Sequence, residues 1–465
     1  MQGDTKYAGH FISAPWRSSG KSVVSIGLAK CAARRHLRVQ TFKKGPDYID
    51  PLWLGTASGN PCYNLDPYIQ STKEIHRLFR TKQSEVTLVE GTMGLHDGLD
   101  VSGQDSNASV ARAIGLPVLL VVDCRGMHRT IAALIQGLTQ FDKRDAFSGV
   151  ILNRLRSDRH AQKIHKAIEQ YCDLQVLGAI AESQSLMIDE RELGLVPAPE
   201  HLFANAYVES VADAIEESCN VDALLQNNRI QPQAGSVLRC QAPDSMAGLR
   251  LGIAQDEAFH FYYADDLNEL QARGAQLVPF SPMKDCLPDN LDGLLIGGGF
   301  PERYAKALAA NCACREQLAD AIANGLPVRA ECGGLMYLCR TLEVEQVVWP
   351  MVGALKATAV MQDKPVGRGY MQLQPQFEKN PMQYAATMPA HEFHHSTVEF
   401  DAPPHCLYRV SRGYGLDGVQ DGVQVHNLVA SYAHLRHTKA TPWIDWFSAR
   451  IQSAQQSGYK TMPYV

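Results

Sequence analysis

Three groups of residues carry side chains at spacings that could do chemistry. The first is Ser13-Ala-Pro-Trp-Arg-Ser18-Ser19-Gly20-Lys21-Ser22, a small-residue loop ending in Gly-Lys-Ser. Such a loop, entered from a strand and leaving into a helix, cradles phosphates with backbone amides, here those of Ser18, Ser19, Gly20, Lys21 and Ser22. Lys21 would pair with the β- and γ-phosphates of ATP, and the Ser22 hydroxyl would ligate Mg2+. The usual first glycine is replaced by Pro15. The second group is acidic: Asp47 and Asp50 in Lys43-Lys-Gly-Pro-Asp-Tyr-Ile-Asp50, and Glu90 and Asp97 in Val89-Glu-Gly-Thr-Met-Gly-Leu-His-Asp97-Gly. Both runs follow apolar stretches. In an open α/β sheet the carboxyl ends of strands hold the ligand, so these carboxylates are expected near Lys21. Mg2+ takes oxygen ligands, which makes Glu90 its first candidate, with Ser22 and Asp47 beside it. Asn153, closing another apolar stretch, is expected to read the adenine edge.

The third group lies in the second half. Pro327-Val-Arg-Ala-Glu331-Cys332-Gly333-Gly-Leu resembles a nucleophile elbow, a strand turning sharply into a helix with Cys332 at the turn. The helix start is expected to favour the thiolate. Gly297-Gly298-Gly299 upstream, together with Gly333, offers amides for an oxyanion hole. A cysteine nucleophile needs a base, and His434 in Ala430-Ser-Tyr-Ala-His434 is the candidate. The Cys312-x-Cys314 pair falls inside a helical pattern and reads as structural.

The elements that must position these groups follow from hydrophobic patterning. Short apolar runs at 9–14, 39–42, 86–90, 117–123 and 149–153 alternate with amphipathic stretches such as 21–35. This pattern predicts a parallel sheet covered by helices on both faces. The stretch 226–248, rich in Gln, Asn, Pro and Gly, reads as a linker. A second α/β alternation begins at Leu249, with strands expected at 250–253, 276–280, 293–296 and 327–330. The fold class is α/β twice over, with domains at 1–225 and 249–465.

The chain has 465 residues, which suits two cores better than one. Its net charge of −5 and lack of a charge block argue against non-specific nucleic-acid binding. The longest apolar runs are too short to span a bilayer, and the start lacks the order of a signal peptide. A cytoplasmic location is therefore expected, with the twelve cysteines as reduced thiols.

The chain resembles the cobyrinic acid a,c-diamide synthase family over nearly its whole length. The resemblance is carried by residues 42–51, Cys62 to Asp66, 89–95, Glu190 to Val196, 256–263, Gly297 to Gly299, Ala330 to Leu335, His391 to His394 and Ala430 to His434. It implies a dethiobiotin synthetase-like P-loop domain followed by a triad-type glutamine amidotransferase domain. It also implies ATP-driven activation of side-chain carboxylates on a tetrapyrrole, with ammonia from glutamine displacing the phosphate along a path between the domains. By the same resemblance Asp50, Glu90 and Asp97 serve phosphoryl transfer and metal binding, Cys332 is the glutaminase nucleophile and His434 its base. The position two after that histidine, often Glu in related glutaminases, is Arg436, which leaves the third triad member open among His391, Glu392 and His394. Further departures are Ser18 for Gly, His96 for Phe and Ala181-Glu-Ser183 for a Pro-Arg. Residues 51–59 and Asn64 to Pro67 are similar to a branch thought to amidate siroheme for dissimilatory sulfite reductase. A regulatory P-loop ATPase would explain residues 1–225 but leave Cys332 and His434 idle. A non-catalytic tetrapyrrole carrier would consume no ATP. The expected partners are small molecules (ATP, glutamine and a tetrapyrrole), with no nucleic acid and no membrane, and a homodimer left open.

Overall fold

A computed structural model describes residues 8–186, 190–191, 194–200, 203–226, 245–376 and 387–459. These fall into two compact units, residues up to 226 in one and residues from 245 in the other. Most of the expected linker, 227–244, lies outside the described residues, as do Met187 to Asp189, Glu192 and Leu193. Among the described residues no helix is long and apolar enough to cross a membrane.

The first unit is built on seven strands: β1 (Ala8–Ser13), β2 (Val39–Lys44), β3 (Tyr63–Leu65), β4 (Val86–Glu90), β5 (Val118–Asp123), β6 (Phe147–Leu155) and β7 (Val176–Ala181). Their order is β3-β2-β4-β1-β5-β6-β7, with every neighbour parallel. Helices on the faces of a parallel sheet bury both sides of its strands, which explains why β1, β2, β4 and β5 are buried at every position. Charged residues of these strands sit at their carboxyl ends, and there they cluster. Register places Glu90 opposite Lys43 on one side and Ile12 on the other, so the carboxyl ends of β1, β2 and β4 meet.

Two helices start at that edge. Helix α1 (Lys21–Arg34) begins after Gly20, whose left-handed φ of 96° lets the chain reverse out of β1. No side chain caps α1 and no acid sits in its first turn, so its first amides point toward an anion site. Helix α2 (Ile49–Ser58) follows β2 and has Asp50 in its first turn.

The second unit holds a nine-stranded sheet. We label its strands β8 (Arg250–Ala254), β9 (Gln276–Phe280), β10 (Gly293–Ile296), β11 (Val328–Glu331), β12 (Gly367–Pro375), β13 (Met388–His394), β14 (Cys406–Arg412), β15 (Gln420–Val425) and β16 (Leu428–Ser431). The order is β9-β8-β10-β11-β16-β15-β14-β12-β13. The first five strands run parallel, and the other four join as antiparallel neighbours. The expected strands 250–253, 276–280, 293–296 and 327–330 all lie in the parallel half. The antiparallel half was not anticipated, nor were β3 and β7.

Candidate active sites

At the phosphate site, the P-loop backbone is held from below. The Ser19 hydroxyl donates to the Trp16 carbonyl at 2.9 Å. Asn153 Nδ2 donates to the Ser19 carbonyl at 3.0 Å, and its Oδ1 accepts the Arg154 amide at 2.9 Å. A Cβ on Gly20 would lie 2.0 Å from Asn153 Nδ2, so the side chain sits directly under the loop. Asn153, expected to read the adenine edge, is here a brace of the P-loop. Arg154 Nη1 donates to the Ser18 carbonyl at 2.7 Å and pairs with Asp123 at 2.8 Å, tying β5, β6 and the loop together. Ser18 adopts φ 56°, the left-handed region that glycine tolerates best.

Lys21 curls over the loop and donates to the Met93 carbonyl at 2.9 Å. It is buried, and burial, reinforced by the nearby Lys43 charge, pulls its pKa down to about 8. Ser22 Oγ donates to Glu90 Oε1 at 2.8 Å, which joins α1 to the end of β4. Lys43 Nζ donates to the same Glu90 oxygen at 2.8 Å, hydrogen-bonds Asp50 and lies 3.8 Å from Asp47. Asp47 Oδ1 accepts the amides of Ile49 and Asp50 at 2.8 and 3.1 Å, capping α2. Ser22, Lys43, Asp47, Asp50 and Glu90 thus form one cluster, in which Lys43 and Glu90 are buried and the other three partly open. Lys43 is the functional candidate that sequence reasoning missed. Its signal was a lysine at the end of an otherwise buried strand.

The electrostatics follow from one cation among three acids. Burial opposes the Lys43 charge, but Asp50, Glu90 and Asp47 outweigh it and keep the ammonium protonated. Burial also works against Asp50, yet Lys43 draws its pKa below the usual range. Asp47 is pushed up to about 7 by burial and by its neighbour Asp50. Glu90 Oε2 is buried and has no hydrogen-bond partner. Among the described residues no three His, Cys, Asp or Glu side chains form a ready metal cage. Mg2+ does not need one, since one or two protein oxygens and substrate phosphates suffice. Ser22 Oγ and the unpartnered Glu90 Oε2 fit that demand.

Asp97 stands apart from this cluster. Its Oδ2 accepts the Gly94 amide at 2.9 Å, and a Cβ on Gly94 would meet Asp97 Oδ2 and the Pro15 carbonyl at 2.5 Å each. It shapes the loop after β4 where that loop presses on Pro15.

In the second unit, β11 ends in Glu331 and Cys332 takes φ 48°, ψ −103° before the six-residue helix Gly333–Leu338. Positive φ at a non-glycine residue costs of the order of 1–3 kcal/mol and marks a conformation held by its surroundings. Here the Cys332 amide donates to the Ser431 carbonyl at 2.7 Å, fastening the turn to β16. The thiol donates to the Phe393 carbonyl at 3.6 Å. The helix start favours the thiolate as expected, through the Gly333 amide, but burial outweighs it. Burial pushes the Cys332 pKa well up, helped by the charges of Glu302 and Glu331, and the Gly333 amide only partly offsets this. Removal of the thiol proton must therefore be assisted.

His434 follows β16 in a loop organised by buried Asp421, which accepts the amides of Tyr432 and Ala433 at 3.1 and 2.9 Å. The His434 amide donates to the His391 carbonyl at 2.8 Å, and the two rings stack at 4.8 Å. A Cβ on Gly298 would lie 2.5 Å from His434 Cε1 and 3.4 Å from Nε2. A Cβ on Gly333 would lie 3.1 Å from the Gly299 amide nitrogen. Gly298 thus packs against the His434 ring, and Gly333, the residue after Cys332, packs against Gly299. The Gly297 amide is already taken by the Tyr262 hydroxyl at 2.8 Å.

Of the residues left open for the third triad position, Glu392 accepts the amides of Tyr414 and Gly415 at 2.6 and 2.8 Å and anchors that loop. His394 stacks on Tyr432 at 3.6 Å. Arg436 is fully buried, pairs with Asp265 at 2.8 Å and lies over Tyr263. Glu331, which sequence reasoning passed over, has Oε2 3.6 Å from His434 Nδ1. Cys312 is exposed and Cys314 buried, and all described cysteines are free thiols.

A P-loop with a carboxylate cluster in one unit and, in the other, a cysteine elbow fastened to the strand that leads to His434 define an ATP-using, glutamine-dependent amidating ligase. Residues 18–195 match the model of the CobQ/CobB/MinD/ParA nucleotide binding domain, and residues 250–441 that of the CobB/CobQ-like glutamine amidotransferase domain. The cobyrinate a,c-diamide synthase of Magnetococcus marinus is 39% identical over 444 residues, covering 93% of this chain and 95% of that protein. Those of Picrophilus torridus and Synechocystis sp. are 37% and 36% identical over 427 and 456 residues, covering 91% and 96% of this chain and 94% of each relative. The chain belongs to the cobyrinate a,c-diamide synthase family.

Proposed function

We propose that this ligase amidates side-chain carboxylates of cobyrinate, with residues 1–225 as the synthetase domain, 226–248 as linker and 249–465 as the glutaminase domain. The observation that carries the reading is the pairing of two separate constellations, Ser22–Lys43–Asp50–Glu90 and Cys332–His434, in a chain whose near full-length relatives are named for that reaction.

Carboxylate is a poor electrophile and must be activated. An oxygen of the acceptor carboxylate attacks the γ-phosphorus of ATP, ADP leaves, and an acyl phosphate results. Catalysis of such a transfer is mostly positioning and charge neutralisation. The free amides of α1 and the Lys21 ammonium hold the phosphates. Lys43 stays charged and keeps Asp50 ionised, while burial raises the pKa of Glu90 against the pull of Lys43. Mg2+, when bound at Ser22 and Glu90, would neutralise phosphate charge. In the other domain His434 takes the Cys332 proton as sulfur attacks the amide carbon of glutamine. The amide nitrogen then leaves as ammonia, protonated by His434, and water hydrolyses the thioester to glutamate. Ammonia attacks the acyl carbon and phosphate departs, leaving an amide.

The test is an assay of purified protein with cobyrinic acid and, separately, siroheme, each with ATP and either glutamine or an ammonium salt, the products being weighed by mass spectrometry. Amide gain on cobyrinic acid alone is expected; gain on siroheme alone transfers the activity to that macrocycle. Cys332→Ala should abolish glutamine-driven turnover and retain the ammonia-driven reaction. Loss of both together would defeat the two-site mechanism.

A further inference from the structure

Resting on that reading of the glutaminase site, we propose that Glu331, the residue immediately before the nucleophile, is the positioning carboxylate of His434. The position that supplies this acid in related glutaminases is Arg436, committed elsewhere to Asp265 and Tyr263. An imidazole acting as base needs one ring nitrogen fixed so that the other faces the nucleophile, and a buried carboxylate on Nδ1 does that.

Glu331 meets the geometric demands. It closes β11 opposite Ser431 of β16, three residues before His434. Its Oε2 lies 3.6 Å from His434 Nδ1, a separation of the kind that tightens once substrate binds. Its Oε1 accepts from Arg329 Nη2 at 2.5 Å and from the Leu435 amide at 3.2 Å. These bonds leave Oε2 facing the imidazole. Arg329 is in turn stacked over Trp443 at 4.8 Å, so the carboxylate rests on a fixed cation. With Nδ1 turned to Glu331, Nε2 falls on the Gly298 side.

The charged and titratable neighbours of the couple agree with this role. Arg329 lies on the same strand, Tyr262 reaches β8 and β10 through its hydroxyl, His391 stacks from β13, and Tyr408 of β14 faces Arg329. Burial works against the Glu331 charge, but Arg329 and then His434 hold its pKa below the usual carboxylate range. The acid is therefore an anion when the imidazolium forms beside it. Sequence logic passes over such a residue because neighbours along a strand point to opposite faces. The positive φ of Cys332 breaks that alternation and lets Glu331 and Cys332 serve one site.

The experiment is the pH profile of kcat/KM for glutamine hydrolysis in full-length wild type, Glu331→Gln and Glu331→Asp. Alkylation of Cys332 by 6-diazo-5-oxo-norleucine gives a second readout, and ammonia-driven amidation checks that each variant is folded. Glu331→Gln should lower kcat by roughly 10²- to 10⁴-fold with little change in KM. It should also move the acid limb about one unit lower, because the imidazolium loses its anion. Glu331→Asp, which keeps the charge, should hold the limb near its wild-type position. A Glu331→Gln profile within twofold of wild type, or a limb displaced equally by Gln and Asp, overturns the assignment. Glutamine-driven turnover surviving in Cys332→Ala would instead remove the site reading on which it rests, a result separable from either.

Discussion

The two sites handle buried charge in opposite ways. At the carboxyl ends of β1, β2 and β4, one buried lysine is surrounded by three carboxylates, and its own charge is held by them. At the end of β11 burial favours the neutral thiol of the nucleophile, and an ion pair, Arg329–Glu331, stands beside the base. The difference matches the ligands. A site for nucleotide phosphates and a carboxylate must already manage strong fields, whereas glutamine presents an uncharged amide and charge arises there only as the proton moves. A site can thus be read for its ligand by whether its charges are in place or generated during turnover.

The largest effect that would break this contrast is expected at Lys43. Lys43→Met leaves Asp50 and Glu90 uncompensated and should cost about 3–5 kcal/mol of stability, read as a fall in the urea midpoint of the first domain's transition. It should also abolish amidation with either nitrogen source while glutamine hydrolysis survives. Arg329→Met should do the reverse, impairing hydrolysis and sparing ammonia-driven amidation. Equal damage to both reactions in each variant would erase the distinction.

A smaller effect sharpens it. The Lys21 pKa is lowered to about 8 by burial, and phosphate binds the protonated form. ATP affinity should therefore be flat below about pH 8 and fall by up to about tenfold per pH unit above it. Titration calorimetry with a non-hydrolysable ATP analogue reads this slope, and Lys21→Arg, always charged, should flatten it. The smallest effect concerns Ser18. Glycine should relieve its φ of 56° by about 1 kcal/mol and lose part of that gain to unfolded-state entropy. Thermal melting should show Ser18→Gly equal to or slightly above wild type.

Much of this architecture was legible in the residues, for a physical reason. Strands buried on both faces are continuous apolar runs, so 86–90 and 293–296 coincide with β4 and β10, while 276–280 coincides with β9, an edge strand of which only Phe280 is buried. Strands such as β12, Gly-Arg-Gly-Tyr-Met-Gln-Leu-Gln-Pro, alternate buried and open positions and owe their place to partners distant in sequence, so they were missed. The same holds within the sites. Glycines, Lys21 and Cys332 announce themselves by local spacing, whereas Lys43 and Glu331 matter through register, which places one across from Glu90 and the other across from Ser431. Asn153 and Asp97 show the converse: polar residues after strands that the structure uses to hold loops in shape.

Keeping sulfur protonated until glutamine arrives has a protective consequence. Peroxide and alkylating agents react with thiolates, so the buried Cys332 is sheltered from casual oxidation while exposed Cys286 and Cys312 take the damage first.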